Sequence, residues 1–105
     1  MVVASVGNVE KELFLSFNNN VSVCFLTNED RFPFKNKYAT PKTLGIDRMV
    51  LASGATLQYP NQNRLIIDAG TCITYDVLTA KDEYFGGSIS LGLNMRFKAL
   101  NHYTG

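Results

Sequence analysis

Two apolar stretches, Arg64-Leu65-Ile66-Ile67-Asp68 and Thr71 through Leu78, are separated by only Ala69-Gly70. A link that short cannot carry a crossover, so the two stretches are restricted to a hairpin closed by a tight turn. In the second stretch Cys72, Thr74 and Asp76 alternate with Ile73, Tyr75 and Val77, the two-residue period of a strand. Ala80-Lys81-Asp82 supplies another turn, and a third strand is expected from Glu83 to about Ser90, broken by Gly86-Gly87. Leu91-Gly92 then opens a final helix containing Leu93, Phe97 and Leu100. The second half of the chain is therefore a three-stranded meander followed by a helix.

The first half differs in type. Val2 to Val6 is a short apolar run with the character of a buried strand. Asn8 is positioned to cap a helix through about Asn18, with Val9, Leu13 and Phe17 at helical spacing. Asn18-Asn19-Asn20 stops it, and Val21 to Leu26 returns as a strand, so a parallel β-α-β unit is expected. Residues 27–39 have no clear period and are expected to form an ordered loop anchored by Phe32, Phe34 and Tyr38. Thr40-Pro41 marks a helix start, and Leu44, Met49, Val50, Ala52 and Leu57 give the following stretch a broad apolar face. Gly45 and Gly54 interrupt it, and Tyr59-Pro60-Asn61 ends it.

With 105 residues, 46% hydrophobic and 18% charged, the chain has the content of a globular domain or part of one, which excludes general disorder. A net charge of +1 disfavours a binder of phosphate backbones, and Arg96, Lys98 and His102 form the only late basic cluster. No apolar run reaches the length of a membrane span, and Met1 to Val6 lacks a signal peptide's basic leader. Cys24 and Cys72 lie in apolar runs and are expected to be buried free thiols, which suits a reducing compartment. His102 has no ligand partner at metal-binding spacing and is expected as a solvated helix-end residue.

Three segments carry candidate chemistry. In Asp68-Ala69-Gly70-Thr71-Cys72-Ile73-Thr74-Tyr75-Asp76, a carboxylate ends a strand beside a glycine turn. Gly70 leaves backbone N–H groups open to a phosphate, Thr71 and Thr74 can donate hydroxyl hydrogen bonds, and Asp68 can hold a cation. The same residues also suit an ordinary hairpin. In Tyr38-Ala39-Thr40-Pro41-Lys42-Thr43-Leu44-Gly45-Ile46-Asp47-Arg48, the adjacent charges are either a surface pair or the lining of a small-molecule pocket. In Gly86-Gly87-Ser88-Ile89-Ser90-Leu91-Gly92, the paired glycines mark a bulge or a close approach.

In this order and spacing the three segments resemble the type III pantothenate kinases, a branch of the sugar-kinase, Hsp70 and actin superfamily of two-lobed ATP-binding proteins. Members carry a tyrosine followed by Thr-Pro-x-x-Leu-Gly-x-Asp-Arg, then Asp-x-Gly-Thr-x-x-Thr-x-Asp, then Gly-Gly-x-Ile-x-Pro-Gly. The matching residues are Tyr38, Thr40 to Arg48, Asp68 to Asp76 and Gly86 to Gly92, with Leu91 in place of the pattern's proline.

The resemblance implies an α/β, ribonuclease-H-like (actin-like ATPase) fold, incomplete here. Residues 1–40 would be the C-terminal part of a first lobe, 41–59 a connecting helix with the substrate motif, and 60–105 the N-terminal part of a second lobe. It implies ATP-dependent phosphorylation of pantothenate to 4′-phosphopantothenate, the first step of coenzyme A biosynthesis, in a cytoplasmic homodimer. Asp47 would be the catalytic base, and Tyr38, Gly45, Ile46, Asp47 and Arg48 would bind pantothenate. Asp68 would hold a monovalent cation, potassium or ammonium, while magnesium accompanies ATP. Gly70, Thr71 and Thr74 would meet the ATP phosphates, with Gly86 and Gly87 against the adenosine.

Members are more than twice this long and open with Asp-x-Gly-Asn-Thr, a phosphate motif that the sequence does not contain. A central piece of such an enzyme, inactive alone, is therefore expected. An accessory transcriptional regulator that binds DNA, or a structural dimerisation module, is the competing reading.

Overall fold

The computed structural model describes residues 1–16 and 20–105. Six strands and three helices follow one another as β1 (Val2–Val3), α1 (Lys11–Leu15), β2 (Cys24–Phe25), β3 (Lys35–Asn36), α2 (Ile46–Gln58), β4 (Arg64–Ala69), β5 (Cys72–Leu78), β6 (Glu83–Leu91) and α3 (Leu93–Thr104). The strands form two sheets, a parallel pair β1-β2 and a four-stranded sheet in the order β3-β6-β5-β4. This mixed α/β arrangement is compatible with part of an actin-like ATPase.

The meander is present as read. β4 and β5 pair antiparallel from Arg64 opposite Leu78 to Ala69 opposite Ile73, around the Gly70 turn. β5 pairs antiparallel with β6, and the register shifts between Val77 and Leu78 so that Phe85 has no partner across the ladder. That bulge adjoins Gly86, whose φ of +81° is the left-handed backbone that glycine tolerates best. The glycine pair thus bends β6 without breaking it.

One face of this sheet is covered by α2. Leu44, Ile46, Met49 and Ala52 pack there with Phe34, Leu78 and Tyr84 as the core, and Leu26, Phe32, Tyr38 and Ile66 lie against it. Because side chains alternate along a strand, Thr74, Asp76 and Leu78 all face the covered side and are buried.

Several expectations need correction. The helix expected from Pro41 is split into a 3-10 turn, Pro41–Thr43, and α2, with Leu44 extended and Gly45 as the N-cap. Asn28 Nδ2 donates to the Leu44 carbonyl at 2.7 Å, drawing that oxygen away from the helical ladder. α2 then continues through Gly54. Val50 and Leu57 point away from the sheet and are exposed, while Arg48 and Thr56 take buried positions on its inner side.

The stretch expected as a loop contains β3, which pairs in parallel with β6, Lys35 opposite Glu83 and Asn36 opposite Tyr84. The strands expected over residues 2–6 and 21–26 shrink to two residues each, though their pairing is parallel as anticipated. α1 begins after Glu10, not after Asn8, and turns Phe14 toward Phe25, with ring centroids 6.0 Å apart. Leu13 is left exposed. The expected continuation of α1 through Phe17 and Asn18 lies outside the described residues. Cys24 and Cys72 are both exposed, contrary to the burial anticipated, because one lies on a two-residue ladder and the other opens β5.

His102 is exposed in the last turn of α3, as anticipated. Among the described residues no helix is long and apolar enough to cross a membrane.

Candidate active site

The first turn of α2 sends one of its two charged residues outward and the next one inward. Asp47 is exposed, and its Oδ1 accepts from the Arg48 backbone N–H at 2.8 Å. A carboxylate there also complements the positive end of the helix dipole. Gly45 keeps this turn tight, since a Cβ on it would stand 2.5 Å from Asp47 Oδ1.

Arg48 is buried and does not pair with Asp47, so the surface pair is excluded. Its guanidinium reaches Asp76 in the middle of β5, where Nε lies 3.1 Å from each carboxylate oxygen and Nη2 donates to Oδ1. Tyr84 donates its hydroxyl to the same Oδ1 at 2.7 Å. The ion pair is nearly sealed, with side-chain exposures of 6% and 1%. The hydrogen bond to Asp76 holds the Arg48 guanidinium even more firmly charged than usual, against the opposing effect of burial. Burial, followed by the Asp76 hydrogen bond and charge, pushes the Tyr84 phenol well above the ordinary tyrosine range.

Tyr38 closes this cluster. The Arg48 guanidinium lies 5.8 Å from the centroid of its ring, which sits 6.4 Å from the Tyr84 ring. The Tyr38 ring rests on Gly86, where a Cβ would come within 2.4 Å of it. Ile46 is buried beside them in the core. Of the residues expected to bind substrate, the fold therefore joins Tyr38 and Arg48 directly, with Asp47 one residue away on the outer side.

The second cluster is built on the β4–β5 turn. Asp68 stands opposite Thr74 across the ladder, and the Gly70 N–H donates to the Cys72 carbonyl at 2.9 Å. Gly92 packs against this turn, its N–H donating to the Thr71 carbonyl at 2.9 Å, and a Cβ there would lie 2.2 Å from the Gly70 carbonyl. Asp68, Gly70 and Thr71 are exposed, whereas Thr74 is buried with an Oγ1 that has no partner among the described residues. An orphaned buried hydroxyl is costly unless something else satisfies it.

Asp68 is the turn's one carboxylate, and with the exposed Thr71 hydroxyl it offers the oxygen donors that a hard cation prefers. Gly87 admits the protein itself, because a Cβ there would stand 1.7 Å from the Tyr75 carbonyl. No hydrogen bond or ion pair among the described residues joins Asp47 to the Asp68–Thr71 turn.

Sequence reasoning did not assign Asp76 or Tyr84 a role. Asp76 carries a signal that could have found it, because a charge on a strand beneath an apolar helix needs a partner, and Arg48 on that helix offers one. Tyr84 carries no such signal.

The sequence model of the family described as type III pantothenate kinase matches residues 1–105. A type III pantothenate kinase of Flavobacterium johnsoniae is 66% identical over 99% of this chain and 43% of its own length. One from Flavobacterium psychrophilum is 58% identical over the same shares. Another, from Bacteroides fragilis, is 43% identical, again over 99% of this chain and 43% of its own length. The chain thus spans 43% of the length of these relatives.

Proposed function

The chain belongs to the type III pantothenate kinase family, and on that premise we propose that the whole protein transfers the terminal phosphoryl group of ATP to the 4′-hydroxyl of pantothenate. The observation that carries this reading is the first turn of α2, where Asp47 presents an exposed carboxylate while its neighbour Arg48 is locked into the sheet. Phosphoryl transfer needs alignment and charge neutralisation more than covalent chemistry from the protein. Asp47 accepts the proton of the pantothenate hydroxyl as that oxygen attacks. Tyr38 and Gly45, with the backbone of the turn through Ile46 and Arg48, form the wall on which pantothenate is oriented.

The Gly70 turn receives the ATP phosphates through Thr71, with the unpartnered Thr74 hydroxyl behind it. Gly86 and Gly87 border the adenosine. Asp68 would hold the monovalent cation, potassium or ammonium, whose charge offsets that of the phosphates, and magnesium would enter with ATP. Homodimer formation and a cytoplasmic location belong to the same reading and rest on the family alone.

The test is pantothenate-dependent ADP formation by the full-length protein. Asp47→Asn is expected to lower turnover by about 10²–10⁴-fold, the usual worth of a general base, with ATP binding retained in calorimetry. Near-normal turnover would overturn the assignment of Asp47. Asp68→Asn is expected instead to weaken nucleotide binding and blunt the response to added potassium or ammonium. The 105-residue chain alone, without the Asp-x-Gly-Asn-Thr motif, is expected to show no pantothenate-dependent turnover. Losing a single oriented donor typically costs ~10²–10³ in rate.

A further inference from the structure

We propose that Asp76 and Tyr84 are positioning residues: acting through Arg48, they fix the roll of α2 and with it the direction in which Asp47 projects. The proposal rests on the reading of Asp47 as the base.

Arg48, Arg64 and Asp76 are the charged residues buried in the described chain. Arg64 serves the turns around it, bonding the Tyr59 carbonyl at 3.1 Å, the Thr79 carbonyl, and Asp82 Oδ1 at 2.7 Å, while its Nε has no partner among the described residues. The Arg48–Asp76 pair closes no turn and belongs to no ladder. It ties the start of a helix to the central part of a sheet.

A buried ion pair holds two elements together no better than well-packed apolar side chains do. What it adds is direction. Nε and Nη2 engage one carboxylate as a fork, which permits essentially one orientation of the guanidinium plane. Tyr84 fixes that carboxylate in turn through Oδ1, and the Tyr38 ring, seated on Gly86, flanks the guanidinium.

Consecutive residues on an α-helix project about 100° apart, from 3.6 residues per turn. With Arg48 pinned inward, Asp47 is therefore held on the outer side, and its hydrogen bond from the Arg48 N–H ties it to the same residue. If the fork were loosened, α2 could roll and carry the carboxylate off line. Errors of that size are costly, since a misplacement of about 1 Å can lower a rate 10²-fold.

The experiment compares Asp76→Asn and Tyr84→Phe with wild type in the full-length protein. Asp76→Asn is expected to lower kcat by about 10- to 100-fold with the KM for ATP unchanged, and Tyr84→Phe by less. Because Asp76 acts through Asp47, adding Asp76→Asn to Asp47→Asn is expected to lower kcat no further. Losses that multiply would overturn the proposal, since a merely structural defect adds to the loss of the base.

Amide exchange gives a readout independent of turnover. The Met49 N–H, bonded to the Gly45 carbonyl at 3.3 Å, is expected to exchange faster in Tyr84→Phe, with the β4–β5 hairpin unchanged. If Asp76→Asn does not fold, Tyr84→Phe carries both measurements. If wild type does not phosphorylate pantothenate, the functional reading fails. Exchange then decides the positioning role alone, and an unchanged Met49 amide in Tyr84→Phe overturns it.

Discussion

Between Ile46 and Leu91 the chain buries Met49, Ala52, Leu78 and Tyr84 and encloses a charged pair among them. None of the described residues from Met1 to Leu26 is fully buried. Both regions carry apolar residues at strand and helix spacing, yet in the first region Leu13 and Leu15 stay exposed and the strands stop after two residues. The difference is a second layer. α2 lies across β4 and β5 and shields one side of the hairpin, whereas α1 contributes mainly Phe14 against Phe25. The described chain is accordingly spread out, with a radius of gyration of 16.6 Å against about 13 Å for a compact domain of ~100 residues. Patterning sets the type of an element, and the layer above it sets how far the element extends.

Removing the charge that the second layer encloses should cost the most. Asp76→Ala leaves the Arg48 guanidinium buried without its carboxylate and strips the Tyr84 hydroxyl of its acceptor. Removing one partner of such a pair costs about 3–5 kcal/mol, to be read from chemical denaturation of the full-length protein. A cost near zero would mean that water reaches Arg48 in solution. Next comes Gly87→Ala. Its Cβ would stand 1.7 Å from the Tyr75 carbonyl, a backbone atom that cannot swing away. Overpacking of this kind costs about 1–3 kcal/mol, and the β5–β6 amides should show it as faster exchange.

The same contrast explains what could be read from the sequence. The β4–β5–β6 meander, the turn at Gly70 and the helix opening at Gly92 were legible because each is set by residues adjacent in sequence. β3 was not, because Lys35-Asn36 becomes a strand only by borrowing the edge of β6 far along the chain. The break before α2 depends on Asn28, 16 residues away from the Leu44 carbonyl that it captures. The exposure of Cys24 and Cys72 likewise depends on what lies above each strand, which local pattern does not encode. Tyr38, Asp47 and Asp68 are visible in the sequence only as positions of the family's motifs. The partner of Arg48 is not, because it is 28 residues away on another element.

A smaller effect should appear in alkali. Tyr84 titrates higher in the folded protein than in the unfolded chain, so the folded state retains a proton that the unfolded state gives up. Its contribution to stability is complete below the ordinary tyrosine pKa of about 10 and is lost as pH rises from there toward the raised folded value. Denaturation followed by circular dichroism from pH 9 upward, a range set by that reference value, should show the loss. Tyr84→Phe should flatten the slope, and an unchanged slope would assign the alkaline sensitivity to other groups.

The thinly covered first region should respond least to truncation. Leu13 is 58% exposed on α1, a helix of only five residues with no side-chain cap. Truncating an exposed side chain away from caps and packed contacts usually changes stability by no more than about 0.5 kcal/mol. Leu13→Ala should therefore be nearly silent in chemical denaturation, helped slightly by the better helix propensity of alanine. Phe14→Ala is the matched control, because that ring meets Phe25 edge-on at 6.0 Å and packs beside β2. It should cost measurably more, since an aromatic pair contributes about 0.5–1.5 kcal/mol beyond its buried area. If Leu13→Ala instead equals or exceeds Phe14→Ala, a second layer covers α1 in the folded protein. The contrast between the two regions would then lie in which partner supplies that layer, and no longer in whether one exists.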